Sequence, residues 1–140
     1  MFRTLVLTSL LGLATAAQAS SPTEDCVRTK VWDTYGDGWA VRSSADAEVG
    51  FGKTQFFRVS LLKGRTYRVV SCGDENFADL DILLYDKDGN VVARDESTDR
   101  EPSLSYSPDK TGAFFVVVYG RDLTDASATS PASWALLHSD

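Results

Sequence analysis

The chain has 140 residues, with 20 acidic and 14 basic side chains and a formal net charge of −6. That length fits one domain of common size. The surplus of carboxylates disfavours nucleic acid and anionic membrane as partners, since both reward surfaces rich in Lys and Arg; it suits cations, basic protein surfaces or neutral ligands.

The N-terminus sets the expected compartment. Met1-Phe2-Arg3-Thr4 carries one positive charge and is followed by a Leu- and Ala-rich apolar run of roughly 13 residues, shorter than the roughly 20 a bilayer needs. Ala17-Gln18-Ala19 then matches the small-x-small pattern of signal peptidase, which predicts a signal peptide over 1–19 and cleavage before Ser20. Setting Arg3 aside leaves 13 basic against 20 acidic residues, or −7 for the mature chain. The product is expected to be periplasmic or secreted, with no membrane insertion after cleavage. Cys26 and Cys72 are the only cysteines and both survive cleavage. In an oxidising compartment they most simply form one disulfide. A metal or redox site is the competing reading, and it lacks the clustered spacing that zinc requires.

After the signal, apolar residues recur with period two in short runs rich in Val, Phe and Tyr. Strands are predicted at 26–32, 55–62, 65–72, 79–85, 90–95, 104–106, 112–119 and 133–138. Lys63-Gly64 joins the second and third in an expected hairpin, and Asp86-Lys87-Asp88-Gly89 joins the fourth and fifth. The stretch 43–48 reads as loop, and no helical stripe stands out. About eight strands punctuated by turns predict an all-β fold: one antiparallel β-sandwich or jelly roll after the signal peptide. A segment at 20–53, holding the first strand and a loop, is expected to pack on a sandwich core at 54–140. Val116-Val117-Val118 and Leu83-Leu84 break strict alternation, which places those strands centrally. Pro102, Pro108 and Pro131 are expected at turns or edges. A faint echo pairs Phe57 to Leu61, Gly64 and Tyr67 to Val70 with Leu104 to Tyr106, Gly112 and Phe114 to Val117. Similar hairpins on both sides of one core would explain it.

Several residues carry candidate chemistry. Asp33-Thr34-Tyr35-Gly36-Asp37-Gly38-Trp39 combines carboxylates, glycines and aromatics. Asp33, Tyr35, Asp37 and Trp39 are the candidate ligand-binding residues, with the rings stacking on a sugar or anchoring a protein. Alternatively, Trp39 plugs the open end of the sandwich and the Asp residues cap the turn. Asp79 and Asp81, two apart on a strand, share one face about 7 Å from each other. They are the candidate metal ligands, joined by Asp74 or Glu75; the other reading has them accepting backbone N–H groups of an adjacent loop. Calcium is thus possible but not favoured, and no other cofactor is expected. The run from Asp86 has Asn90 fifth but Val91 sixth and Ser97 twelfth, which fails the EF-hand pattern and reads as a hairpin turn with Gly89 at positive φ. His138, the sole histidine, has no Gly-x-Ser-x-Gly elbow upstream. No catalytic residue is assigned.

The middle of the chain resembles the bacterial pre-peptidase C-terminal domain. The resemblance rests on Phe56-Phe57-Arg58-Val59, Gly64, Tyr67-Arg68-Val69, Ala78-Asp79-Leu80-Asp81-Ile82-Leu83-Leu84-Tyr85, Asp86-Lys87-Asp88-Gly89, Tyr106 and Gly112-Ala113-Phe114-Phe115-Val116-Val117-Val118. It implies a jelly-roll-like sandwich, non-catalytic, related to collagen-binding domains and engaged in targeting, secretion or substrate contact. Relatives that bind calcium use acidic residues just before the first aromatic strand, where this chain has Gly50-Phe51-Gly52-Lys53-Thr54. The 140 residues hold no protease domain beside it. The expected function is therefore an exported non-catalytic binding or accessory module with a protein or glycan ligand outside the cytoplasm. Alternatives are a regulator of an envelope enzyme (inhibitor, immunity protein or protease chaperone) and a small secreted hydrolase.

Overall fold

The computed structural model describes residues 16–139, so most of the predicted signal segment lies outside the described residues. Among those described, no helix is long and apolar enough to cross a membrane.

The chain first forms a helix, α1 (Pro22–Tyr35), where a strand was expected at 26–32. Local chemistry at Ser21 explains the difference. The Ser21 hydroxyl accepts the Glu24 N–H at 3.2 Å, and the Glu24 carboxylate accepts the Ser21 N–H in return. This capping box, with Pro22 in the first turn, starts a helix that four-residue spacing then sustains. Val27 and Val31 face inward one turn apart, while Asp25, Arg28 and Thr29 stay exposed.

Eight strands follow: β1 (Ala40–Gly50), β2 (Thr54–Leu61), β3 (Thr66–Gly73), β4 (Phe77–Asp86), β5 (Val91–Asp95), β6 (Ser103–Tyr106), β7 (Gly112–Leu123) and β8 (Thr129–Ser139). The stretch 43–48, expected as loop, is the middle of β1. Its inward positions are Ala45, Ala47 and Val49, and two of these side chains are too small to advertise an apolar alternation.

The strands form two four-stranded antiparallel sheets. Sheet A runs β1-β8-β3-β6 and sheet B runs β2-β7-β4-β5. Pairings nest as β1 with β8, β2 with β7, β3 with β6 and β4 with β5, which is a long hairpin rolled into a jelly roll. The innermost pair is the predicted hairpin, and its turn holds Gly89 at φ 83°. The hairpin expected across Lys63-Gly64 is instead an arch: β2 lies in sheet B and β3 in sheet A. The echo unit at 104–117 is a second arch, from β6 to β7, and the two arches pair strand for strand. Their turns touch where the Lys63 N–H donates to Thr111 Oγ1 at 2.9 Å. Tyr67 is almost fully buried, and its phenol accepts the Leu62 N–H at 2.8 Å, which accounts for an aromatic residue just after the first arch turn.

Between the sheets lies one dry core, including Leu61, Leu80, Ile82, Leu84, Val116, Val118 and Leu136, all essentially inaccessible. Val116 to Val118 and Leu83-Leu84 sit on β7 and β4, the two central strands of sheet B, as their unbroken apolar runs predicted. Pro131 departs from expectation. It lies inside β8, opposite Glu48 and just beyond the point where the pairing with β3 ends. A missing N–H is tolerated there because one flank of β8 has no ladder to feed.

Candidate functional site

The two sheets present very different outer faces. Outside sheet A, α1 lies across β3 and β8. A second apolar cluster joins Val27 to Val70, Cys72, Ala135 and Leu137, with Val31 and Trp39 packed against it. Cys26 and Cys72 form the disulfide predicted for them, tying helix to sheet across 46 residues of sequence. A polar chain running from buried to exposed adds to the seam: buried Thr23 Oγ1 meets buried Ser133 Oγ at 2.8 Å, and Ser133 Oγ donates to Oδ1 of exposed Asp46 at 2.6 Å.

The four candidate ligand residues do not form one loop. Asp33 and Tyr35 belong to the last turn of α1, and Asp37 lies in the turn that follows. Trp39 is half-buried against the sheet A cluster, with the Arg68 guanidinium 4.3 Å over its ring. It therefore covers the outside of sheet A and does not plug the open end of the sandwich. Tyr35 instead stands beside Trp32, a residue that sequence reasoning passed over. The rings are 5.8 Å apart in an edge-on arrangement, 63% and 65% exposed. The signal for this pair was the three-residue spacing of Trp32 and Tyr35, which is meaningful only once the segment is known to be helical.

Among the described residues, no helix covers sheet B. Alternation along its strands sets outward-facing residues in rows: Phe56, Val117 and Leu83 in one, Thr54, Tyr119 and Asp81 in the next. A recess of about 250 Å³ opens here, bounded by Phe56, Tyr85, Tyr119, Asp81, Glu96 and Arg121. Phe56 is 62% exposed at its rim. The adjacent Phe57 turns into the core, 5.2 Å from the ring of Trp134. A doublet of aromatics on a strand of period two must place one ring outside, and that was the available signal for Phe56.

Asp79 and Asp81 do share this outer face of β4, yet they are buried, at 8% and 1% exposure. The cause is a double cover. On one side β7 bulges at Arg121, because Asp79 pairs with Asp122 while Leu80 pairs with Gly120. The bulge aims the guanidinium at Asp81, Nη1 3.6 Å from Oδ2. Gly120 makes the bulge possible: a Cβ there would sit 2.5 Å from the Gly50 carbonyl oxygen. On the other side, the β5–β6 connection crosses β4, with the Leu80 N–H donating to the Asp99 carbonyl at 2.8 Å.

Among the described residues, neither Asp79 Oδ1 nor Asp81 Oδ1 has a hydrogen-bond partner. The backbone N–H contacts expected of them are made by other aspartates. Asp86 Oδ1 accepts from Asp88 and Asn90, Asp95 Oδ2 from Ser103, and Asp74 Oδ1 from Asn76. Those contacts hold Asp86 below the usual carboxylate range, the Asn90 N–H first among them. Burial, with no such donors, pushes Asp79 up. Burial and then the charge of Asp79 push Asp81 up to about 6. Asp74 and Glu75 do not join the pair: among the described residues, the group of three or more ligand atoms within 4.8 Å is Cys26, Cys72 and Glu101. Two of those are locked in the disulfide, with the Glu101 carboxylate resting 2.9 Å from Cys26 Sγ. His138 Nδ1 lies 3.2 Å from an Arg65 guanidinium nitrogen, which makes it the acceptor of that contact.

No protein-family model matches the chain, and no curated protein does. Solved structures that share its architecture include the following two. PliG of Aeromonas hydrophila, a periplasmic inhibitor of g-type lysozyme, aligns over 71% of this chain and 87% of its own, with TM-score 0.54 and 13% identity. The pre-peptidase C-terminal domain of the Bacillus anthracis collagenase aligns over 69% and 89%, with TM-score 0.54 and 11% identity. The nested strand order and these two likenesses together give the chain the jelly-roll β-sandwich fold of a pre-peptidase C-terminal domain.

Proposed function

We propose that the chain is an exported, non-catalytic accessory module that binds a protein in the periplasm or outside the cell. The observation that carries this reading is the asymmetry of the sandwich: a disulfide-bonded helix packs on one outer face, and the other leaves aromatic and charged side chains around an open recess. A rigid, pre-formed sheet face loses little entropy on docking, which suits a binding module. The disulfide fits an oxidising compartment, and cleavage before Ser20 would leave α1 and its cap intact, since the capping box begins at Ser21.

The regulator reading is favoured within this class by the likeness to a periplasmic lysozyme inhibitor, which spans most of that protein's length. The test is a defined panel: purified g-type lysozyme, fibrillar collagen and a glycan array, each assayed for binding by the mature chain and the lysozyme also for inhibition. Stoichiometric binding to a protein member supports the reading. Selective binding to glycans alone would replace it with a lectin-like one. N-terminal sequencing of the exported product should begin at Ser20.

A further inference from the structure

The Asp79/Asp81 pair carries more negative charge than its surroundings answer. The groups facing it are Arg121 and Asp122 from β7, and Glu96 and Asp99 from the β5–β6 connection. Glu96 is matched by Arg94 at 3.2 Å. Arg121 is therefore the cation at the pair among the described residues, held at 3.6 Å by an arm that is 55% exposed. Each carboxyl keeps one buried oxygen without a donor, and an unpaired buried acceptor costs roughly 1–3 kcal/mol. The site is short of a donor. The recess above it has aromatic walls in Phe56, Tyr85 and Tyr119 and an acidic end in Asp81 and Glu96.

We propose that this recess is the docking surface for the protein partner and that an arginine side chain of the partner enters it, stacking between Phe56 and Tyr119 and pairing with Asp81 beside Arg121. The inference rests on the protein-binding reading above and adds the surface and the chemistry. A guanidinium fits for three reasons. It is planar and stacks on aromatic faces. Its several N–H donors can serve Asp81 and Glu96, the two carboxylates that line the recess, together. The chain as a whole is acidic, at −6, so a basic partner is steered toward it. A calcium ion fits less well, because it wants six to eight oxygens and no third acidic, Cys or His ligand atom joins the pair within 4.8 Å among the described residues. Binding should require ionised Asp81 and so weaken as the pH falls through about 6, where that carboxylate takes up its proton.

The experiment is an amide NMR titration of the mature protein with agmatine, a small guanidinium compound, with calcium chloride in a parallel arm. The expected result is saturable shifts confined to the outer face of sheet B, centred on Phe56, Leu83, Tyr119 and Arg121. The affinity should fall about tenfold in Asp81→Asn and in Phe56→Ala, and similarly between pH 7.5 and pH 5. Phe56 is exposed, so its variant stays folded whatever Asp81→Asn does. Shifts scattered over the surface or centred on α1, affinities unchanged in both variants, or calcium reproducing the shifts would each overturn the proposal. A panel protein that binds with affinity untouched by Phe56→Ala and Asp81→Asn would overturn the surface and leave the protein-binding reading standing. Agmatine shifts as expected, with no protein in the panel bound, would support the recess and sink that reading.

Discussion

The two outer faces of this sandwich solve the same problem in opposite ways. Sheet A buries the outer apolar positions of β3 and β8 under α1, with a disulfide and the Thr23, Ser133 and Asp46 hydrogen-bond chain fixing the seam. Sheet B has no such cover, and its outer positions mix aromatic rings with carboxylates and a guanidinium. The first face is built for stability. The second keeps two buried carboxyl groups incompletely paired, a liability that a protein with stabilising options elsewhere tends to retain where something must bind. The contrast teaches where to look: apolar packing marks the helix-bearing side, and incompletely paired carboxyl groups mark the open one.

The comparison can be broken or sharpened by measurement. The largest effect should come from the closed face. Removing the disulfide in a Cys26→Ser/Cys72→Ser variant releases a 46-residue loop, worth about 4 kcal/mol in the chain-entropy estimate. Thermal melts should show a Tm drop of more than about 10 °C, and hydrogen exchange should show α1 opening before the sheets. An unchanged Tm would mean that helix packing alone closes that face.

On the open face the expected sign is reversed. Asp81 loses its proton near 3.8 when unfolded but at about 6 when folded, so the folded state holds the extra proton between those values. The associated stability is complete below about 3.8 and is lost as the pH rises through 6. Asp81→Asn should therefore raise stability at pH 7.5 by about 3 kcal/mol, and change it little at pH 4, by the free energy of a pKa shift of this size. Urea unfolding at several pH values checks this. A loss of stability at pH 7.5 would show that the ionised carboxylate braces the fold after all.

Two smaller effects complete the contrast. Ser21→Ala removes the cap hydroxyl and one side of the box at the start of α1, and should cost about 1 kcal/mol, read as a lower urea midpoint with unchanged slope. Phe56→Ala should change stability by less than about 0.5 kcal/mol, because surface positions away from special features seldom matter more. A large loss there would show that Phe56 is structural and not part of a docking surface.

Most strands were legible because each carries its own period-two record. Residues 55–62, 65–72, 79–85, 90–95, 104–106, 112–119 and 133–138 match β2 to β8 to within a few positions. The misses share a cause. At 26–32 the run Cys-Val-Arg-Thr-Lys-Val-Trp is rich in β-branched residues and imitates a strand, while the capping box that makes it helical lies upstream at Ser21 and Glu24. At 43–48 the inward side chains are mostly alanine, too small to stand out. The candidate site was half legible. Asp79 and Asp81 were found together, but Glu96 and Arg121 come from other strands or loops, and no local pattern predicts that a bulge at Arg121 will aim its guanidinium back at β4.

By itself, then, the sequence determined that the chain is a small β-sandwich with one disulfide, because alternation, turn glycines and cysteine count act locally or as simple sums. Only the tertiary structure decided which short connections are hairpins and which are arches between sheets, since Lys63-Gly64 and Asp86 to Gly89 carry similar turn chemistry. It also decided that the pair on β4 is buried and that the helix falls on sheet A and leaves sheet B open. Burial and charge balance depend on which distant segments are packed together, and that information belongs to the folded whole.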